Sequence, residues 1–152
     1  MVIIALTLTA PSLTYAHGKA DDLVIENAWG KPNFGPNGAA YLKITNNGSK
    51  KIELIEAISP VSNRVELHEH INQDGVMRMR RIKDAITIES KETITFEPAG
   101  KHIMLFNMKD KFKAGANFPL TLKFKNGKHK DITVKILSGD KSTKKSSEHQ
   151  HH

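Results

Sequence analysis

Between Leu23 and Leu137, apolar residues alternate with polar ones in short runs broken by turn formers. A period of two is the signature of a half-buried strand, and helical periodicity is hard to find anywhere in the stretch. The alternation predicts ten strands: Leu23 to Trp29, Ala40 to Thr45, Ile52 to Ile58, Arg64 to Ile71, Val76 to Ile82, Ile86 to Ile88, Thr93 to Phe96, His102 to Asn107, Phe118 to Phe124 and Ile132 to Leu137. The punctuation agrees, with Asn46-Asn47-Gly48, Ser59-Pro60, Asp74-Gly75, Pro98-Ala99-Gly100, Gly115 and above all the hairpin dipeptide Asn126-Gly127. So many short strands in one stretch argue for an all-β sandwich or barrel, and 152 residues suit a single domain. No internal repeat is evident.

The chain has no cysteine. Disulfide scaffolds, CxxC redox motifs, thiolate zinc sites, thiol nucleophiles and the His/Cys blue-copper site are therefore excluded, and a metal could be held only by nitrogen, oxygen or thioether. Hydrolase readings lack a GxSxG elbow or an HExxH motif. The net charge is +7, but interleaved aromatics are lacking, which argues against nucleic acid. The lysine clusters, Lys109, Lys111 and Lys113 and also Lys123, Lys125, Lys128 and Lys130, read first as solvated edges and turns; docking onto an acidic partner is the alternative.

The ends differ in character. Val2 to Leu8 is a short apolar run, and Thr14-Tyr15-Ala16 carries the small residues that a signal peptidase reads. Residues 1–16 are thus expected to be a signal peptide cleaved after Ala16, although no Lys or Arg precedes the run. This predicts export to the periplasm, a short N-terminal segment at 17–22, a β-sandwich over 23–137, and a disordered Lys/Ser/His-rich tail over 138–152. His17, His149, His151 and His152 are candidate Cu(II) ligands at the termini, with a solvated terminus as the plainer reading.

The chemistry is concentrated in the middle. Met77, Met79, Met104 and Met108 all fall in one stretch with His102, just after His68 and His70. A lone Met in a strand is ordinarily packing, but these four are not spread like filler. A hairpin with a four-residue loop at Asn72-Gln73-Asp74-Gly75 sets His70 opposite Met77 and His68 opposite Met79, all on one face. In the later strand His102 and Met104 share a face, while Ile103 and Leu105 point the other way, toward a core. Imidazoles and thioethers meet if these strands adjoin. Thioether sulfur is soft and neutral, so such a set favours Cu(I) over hard cations and over zinc.

These residues resemble the periplasmic PCu(A)C copper chaperones, whose pattern is a His, ten residues, a Met, about twenty-one residues and HxM. Here His68 precedes Met79 by ten intervening residues, and Arg80 to Lys101 contributes 22 before His102-Ile103-Met104. Glu26-Asn27-Ala28-Trp29, Asn37-Gly38-Ala39-Ala40-Tyr41, Val65-Glu66-Leu67-His68-Glu69 and Gly75-Val76-Met77-Arg78-Met79-Arg80 extend the likeness over most of the chain. The resemblance implies a cupredoxin-like Greek-key β-sandwich with a surface Cu(I) site made by His68, Met79, His102 and Met104. His70 and Met77 are candidate auxiliary ligands. It further implies a chaperone rather than an enzyme, delivering copper to a periplasmic acceptor such as the copper subunit of a terminal oxidase or a thiol assembly factor. A monomer is expected, with no stable membrane insertion and a metal-bridged dimer as the alternative.

Two other readings stay open on the residues alone. One is a copper-dependent redox enzyme using His17 as an N-terminal chelate, for which no substrate pocket is evident. The other is a structural β-domain with an incidental Met/His face.

Overall fold

A computed structural model describes residues 22–138. The described residues form ten strands and no helix: β1 (Leu23–Gly30), β2 (Gly38–Asn46), β3 (Ile52–Ile58), β4 (Ser62–Gln73), β5 (Val76–Arg81), β6 (Ile86–Ile88), β7 (Thr93–Phe96), β8 (His102–Met108), β9 (Asn117–Phe124) and β10 (His129–Ile136). All ten strands expected from the alternation are present. The expected cleavage site, His17 and the tail histidines lie outside the described residues.

Hydrogen bonding runs in the order β5-β4-β8-β2-β1-β10-β9-β3-β6, and β7 joins the edge of β2 beyond β8. Strands far apart along this path meet face to face. One core draws on Leu42 and Ile44 of β2, Leu54 of β3, Ile103 and Leu105 of β8, and Leu120 and Leu122 of β9. The alternation is clearest in β9, where Phe118, Leu120, Leu122 and Phe124 are all buried. The chain crosses from β3 to β4, from near one end of the path to near the other, through a tight turn held by two buried serines. Ser59 Oγ donates to Pro119 O at 2.6 Å and Ser62 Oγ to Phe106 O at 2.6 Å.

Three local features shape the surface that matters below. In β1 the ladder to β2 slips between Glu26 and Trp29, where Asn27 takes φ 52°, a left-handed conformation that Asn tolerates better than most residues. Trp29 then stacks on Tyr41, with ring centroids 4.6 Å apart. On the free edge of β2, β7 pairs with Leu42–Thr45 and β8 with Gly38–Ala40, so the chain between them, residues 97–101, leaves the ladder. Finally, β4 and β5 form a hairpin whose outer strand is exposed at every residue.

Candidate metal centre

The hairpin differs from the expected one. Its loop is the two residues Asp74-Gly75, both at positive φ (55° and 79°), and Gly75 N donates to Asn72 Oδ1 at 2.9 Å. A two-residue turn with both residues left-handed matches the twist of the flanking strands, and it recruits Gln73 and Asn72 into the ladder. The register therefore slides by two residues. His70 lies opposite Met79, Asn72 opposite Met77 and His68 opposite Arg81, so the expected pairs His70/Met77 and His68/Met79 are not formed. A slide of two preserves the face: the two histidines and two methionines still share one surface.

On the other side of β4, His68 is the register partner of His102, and Glu66 of Met104. Three adjacent strands thus bring Met79, His70, His68 and His102 together, with Met104 one pair further along the same face. Beneath them Ile103 and Leu105 are fully buried. Met79 remains 46% exposed and Met77 55%, both unusual for an apolar side chain. Met108, the remaining strand methionine, packs against the core.

Each histidine has one nitrogen already committed. The Gly100 carbonyl can only accept, so His102 Nδ1–H donates to it at 3.1 Å, which leaves Nε2 with its lone pair. That Nε2 faces Met79 Sδ at 3.3 Å. His68 Nε2–H donates to Glu66 Oε2 at 2.8 Å, and its buried Nδ1 has no hydrogen-bond partner among the described residues. His70 lies over His102, centroids 5.2 Å apart; its Nδ1 lies 3.5 Å from Gly100 O, and its backbone N–H also donates to that carbonyl. The free carbonyl of the 97–101 excursion is therefore what orients this corner.

Burial lowers the His102 pKa; the bond to Gly100 partly offsets this, and the neighbouring imidazoles add to the lowering. The ring stays neutral at physiological pH. The hydrogen bond from His68 holds the Glu66 carboxyl below the usual carboxylate range against the opposing effect of burial, with Arg81 and Arg64 assisting. Arg81 Nη1 stands 3.4 Å from Glu66 Oε1, and Arg64 lies over the Phe106 ring at 4.0 Å. Glu66 and Gly100 are the two contributors that the spacing of His and Met did not reveal. Glu66 was legible in principle, since it is two residues from His68 and so on the same face; a loop carbonyl has no such signature.

Among the described residues no three His, Cys, Asp or Glu groups converge on a point that could hold a metal ion. A metal at this surface would need thioether sulfur, and the donor set is soft and neutral.

The fold is that of the PCuAC domains, a single cupredoxin-like β-domain. Similar solved structures include the copper-bound PCuAC domain from PmoF2 (TM-score 0.65, 20% identity, 78% of this chain and 94% of that one) and apo-DR1885 from Deinococcus radiodurans (TM-score 0.59, 24% identity, 91% and 93%). Residues 23–136 match the family model described as "Putative lipoprotein LpqE-like", and the chain belongs to that LpqE-like family. Relatives include RP573 of Rickettsia prowazekii (strain Madrid E), 28% identical over 145 residues, 88% of this chain and 80% of that one. The Leifsonia xyli subsp. xyli (strain CTCB07) protein described as "Putative lipoprotein Lxx21020" is 29% identical over 127 residues, 83% and 76% respectively. No helix among the described residues is long and apolar enough to cross a membrane.

Proposed function

We propose that this chain is an exported copper chaperone that carries Cu(I) on the β4–β5–β8 face and passes it to a periplasmic acceptor. The observation that carries the reading is the 3.3 Å approach of His102 Nε2 to Met79 Sδ, with the other ring nitrogen bound to Gly100 O. Two electron-pair donors with no proton between them gain nothing from that proximity unless a cation bridges them. His68 supplies a third donor through its unpartnered Nδ1, with Glu66 holding the opposite nitrogen, the arrangement in which a carboxylate fixes a metal-binding imidazole. Met104 completes the set from the next position on the same face of β8, and His70 lies within reach as an auxiliary ligand.

Copper as the cargo is supported by the family and by similar folds that include a copper-bound PCuAC domain and Cu(I)-DR1885. Neutral ligands leave the charge of Cu(I) uncompensated, which favours one-way passage to a thiolate-bearing acceptor by ligand exchange. Assembly of the terminal oxidase copper site is the proposed destination, and nothing in this mechanism asks the chain to act as an enzyme. Release in the periplasm after Ala16 and a secondary Cu(II) site at the terminal histidines belong to the same proposal.

The test is anaerobic titration with Cu(I) against a chromophoric chelator, beside a Met79→Ala, Met104→Ala double variant. The expected result is one tightly bound Cu(I) that the double variant loses. Binding indifferent to both methionines would move the metal elsewhere and sink the reading.

A further inference from the structure

The two basic clusters of the sequence are not equivalent in the fold. Lys123 and Lys125 are ion-paired with Glu56 and Glu53. Lys31, Lys109, Lys111 and Lys113 are all exposed, and among the described residues none stands within ion-pair distance of a carboxylate; Asp110 is the one acid between Lys109 and Lys113. Lys109 Nζ donates only to the Pro60 carbonyl.

The fold ties the two loops that carry these lysines to each other next to one exposed aromatic, Phe34. Asn33 is buried and joins two loops: its Nδ2 donates to Gly35 O and Asp110 O, its backbone N–H to Phe112 O, and its Oδ1 accepts from Phe112 N at 2.7 Å. Between Pro32 and Pro36, this clamp holds up Phe34, which is 89% exposed. The bonds of Asn33 brace the loop with Phe34 turned away from the core. Lys31 lies three residues before Phe34 on its own loop, and the loop to which Asn33 ties it carries Lys111 and Lys113 on either side of Phe112.

The position is as telling as the composition. Met108 N donates to Pro36 O and pairs with Ser62, so this loop pair sits at the start of β4. His70 is eight residues further along that strand, about 26 Å away at about 3.3 Å per residue.

We infer that Phe34 and its lysines form a foot that rests on an anionic membrane surface. The ring enters the headgroup boundary and the lysines meet lipid phosphates. The inference is independent of the copper reading; if both hold, the foot presents the His/Met face outward at a fixed height above the bilayer.

The test uses the full chain with Phe34→Trp, so that the fluorescence reports this loop, with the wild-type signal of Trp29 subtracted. Vesicles of phosphatidylglycerol and phosphatidylcholine should shift the emission to the blue and shield it from iodide, while pure phosphatidylcholine should not. Lys111→Gln with Lys113→Gln should weaken the response about 25-fold, at about fivefold per lysine near a charged surface. Phe34→Ser should lower cosedimentation with the anionic vesicles about tenfold relative to wild type. No blue shift on anionic vesicles, a shift indifferent to the two lysines, or a shift produced by polyglutamate but not by vesicles would each overturn the inference, the last in favour of an acidic protein.

Discussion

Met79 stands directly opposite His70 across the β4–β5 ladder, while its sulfur reaches past that partner to His102 Nε2 on β8. The contact therefore depends on the hairpin register, and the register depends on the turn at Asp74-Gly75.

Gly75→Val tests that dependence. A side chain at φ 79° costs about 1–2 kcal/mol, and since nothing lies within 4 Å of the new Cβ the cost is conformational rather than steric. We expect weaker Cu(I) binding with little change in the urea midpoint, because β5 contributes no side chain to the core. An unaltered Cu(I) affinity would mean that the hairpin does not present Met79.

Glu66→Gln should lower Cu(I) affinity about 10–100-fold, the usual consequence of losing the partner that orients a ligating imidazole. Competition titration of the two proteins at pH 7 decides it, and circular dichroism should show both folded. Equal affinities would remove Glu66 from the site.

Acid should destabilise the apo chain in two stages. His102 and Glu66 both have pKa values lowered in the folded state, so as pH falls the unfolded chain takes up protons first and stability is lost. Stability linked to His102 is present above its ordinary value of 6.5 and declines as pH falls below it; that linked to Glu66 declines only below 4.5. Urea midpoints from pH 8 to pH 3 should show both stages, and Glu66→Gln should retain the first and flatten the second. A midpoint constant from pH 7 to pH 5 would contradict the role of His102.

Asn46 is buried, and its side chain ties two turns together. Its Nδ2 lies within donating distance of the Lys50, Ile88 and Glu89 carbonyls, and its Oδ1 accepts from Gly48 N. Asn46→Ala should cost at least about 2 kcal/mol by orphaning these groups, and Asn46→Asp more, since a carboxylate faces three carbonyls with no proton to offer. Chemical denaturation measures both, and the reverse ranking would refute the bonding pattern.

Most of the fold was legible because the sandwich buries one face of nearly every strand, and burial writes itself as alternation: Phe118, Leu120, Leu122 and Phe124 could be read directly. Face-sharing by His68, His70, Met77 and Met79 was legible for the same reason. The exact pairing was not. Asn72, Gln73, Asp74 and Gly75 are all acceptable in a turn, and composition alone does not say that the tighter Asp74-Gly75 turn prevails by adding two ladder pairs. The role of Gly100 O was hidden for a different reason, since a backbone carbonyl becomes available only where the edge of β2 changes from β8 to β7. Asn33 was silent too, because a residue that fastens two loops 77 positions apart leaves no local pattern.

The exposure of all six residues of β5 has one more consequence. Lifting that strand uncovers no apolar interior, so the hairpin that carries Met79 can hinge at a cost far below that of unfolding. Under the proposed function, loading and unloading are governed by a clasp and not by the body it is fastened to. The same separation lets substitutions from Met77 to Arg81 change the grip and leave the fold standing, as a clasp can be refitted without recutting the garment.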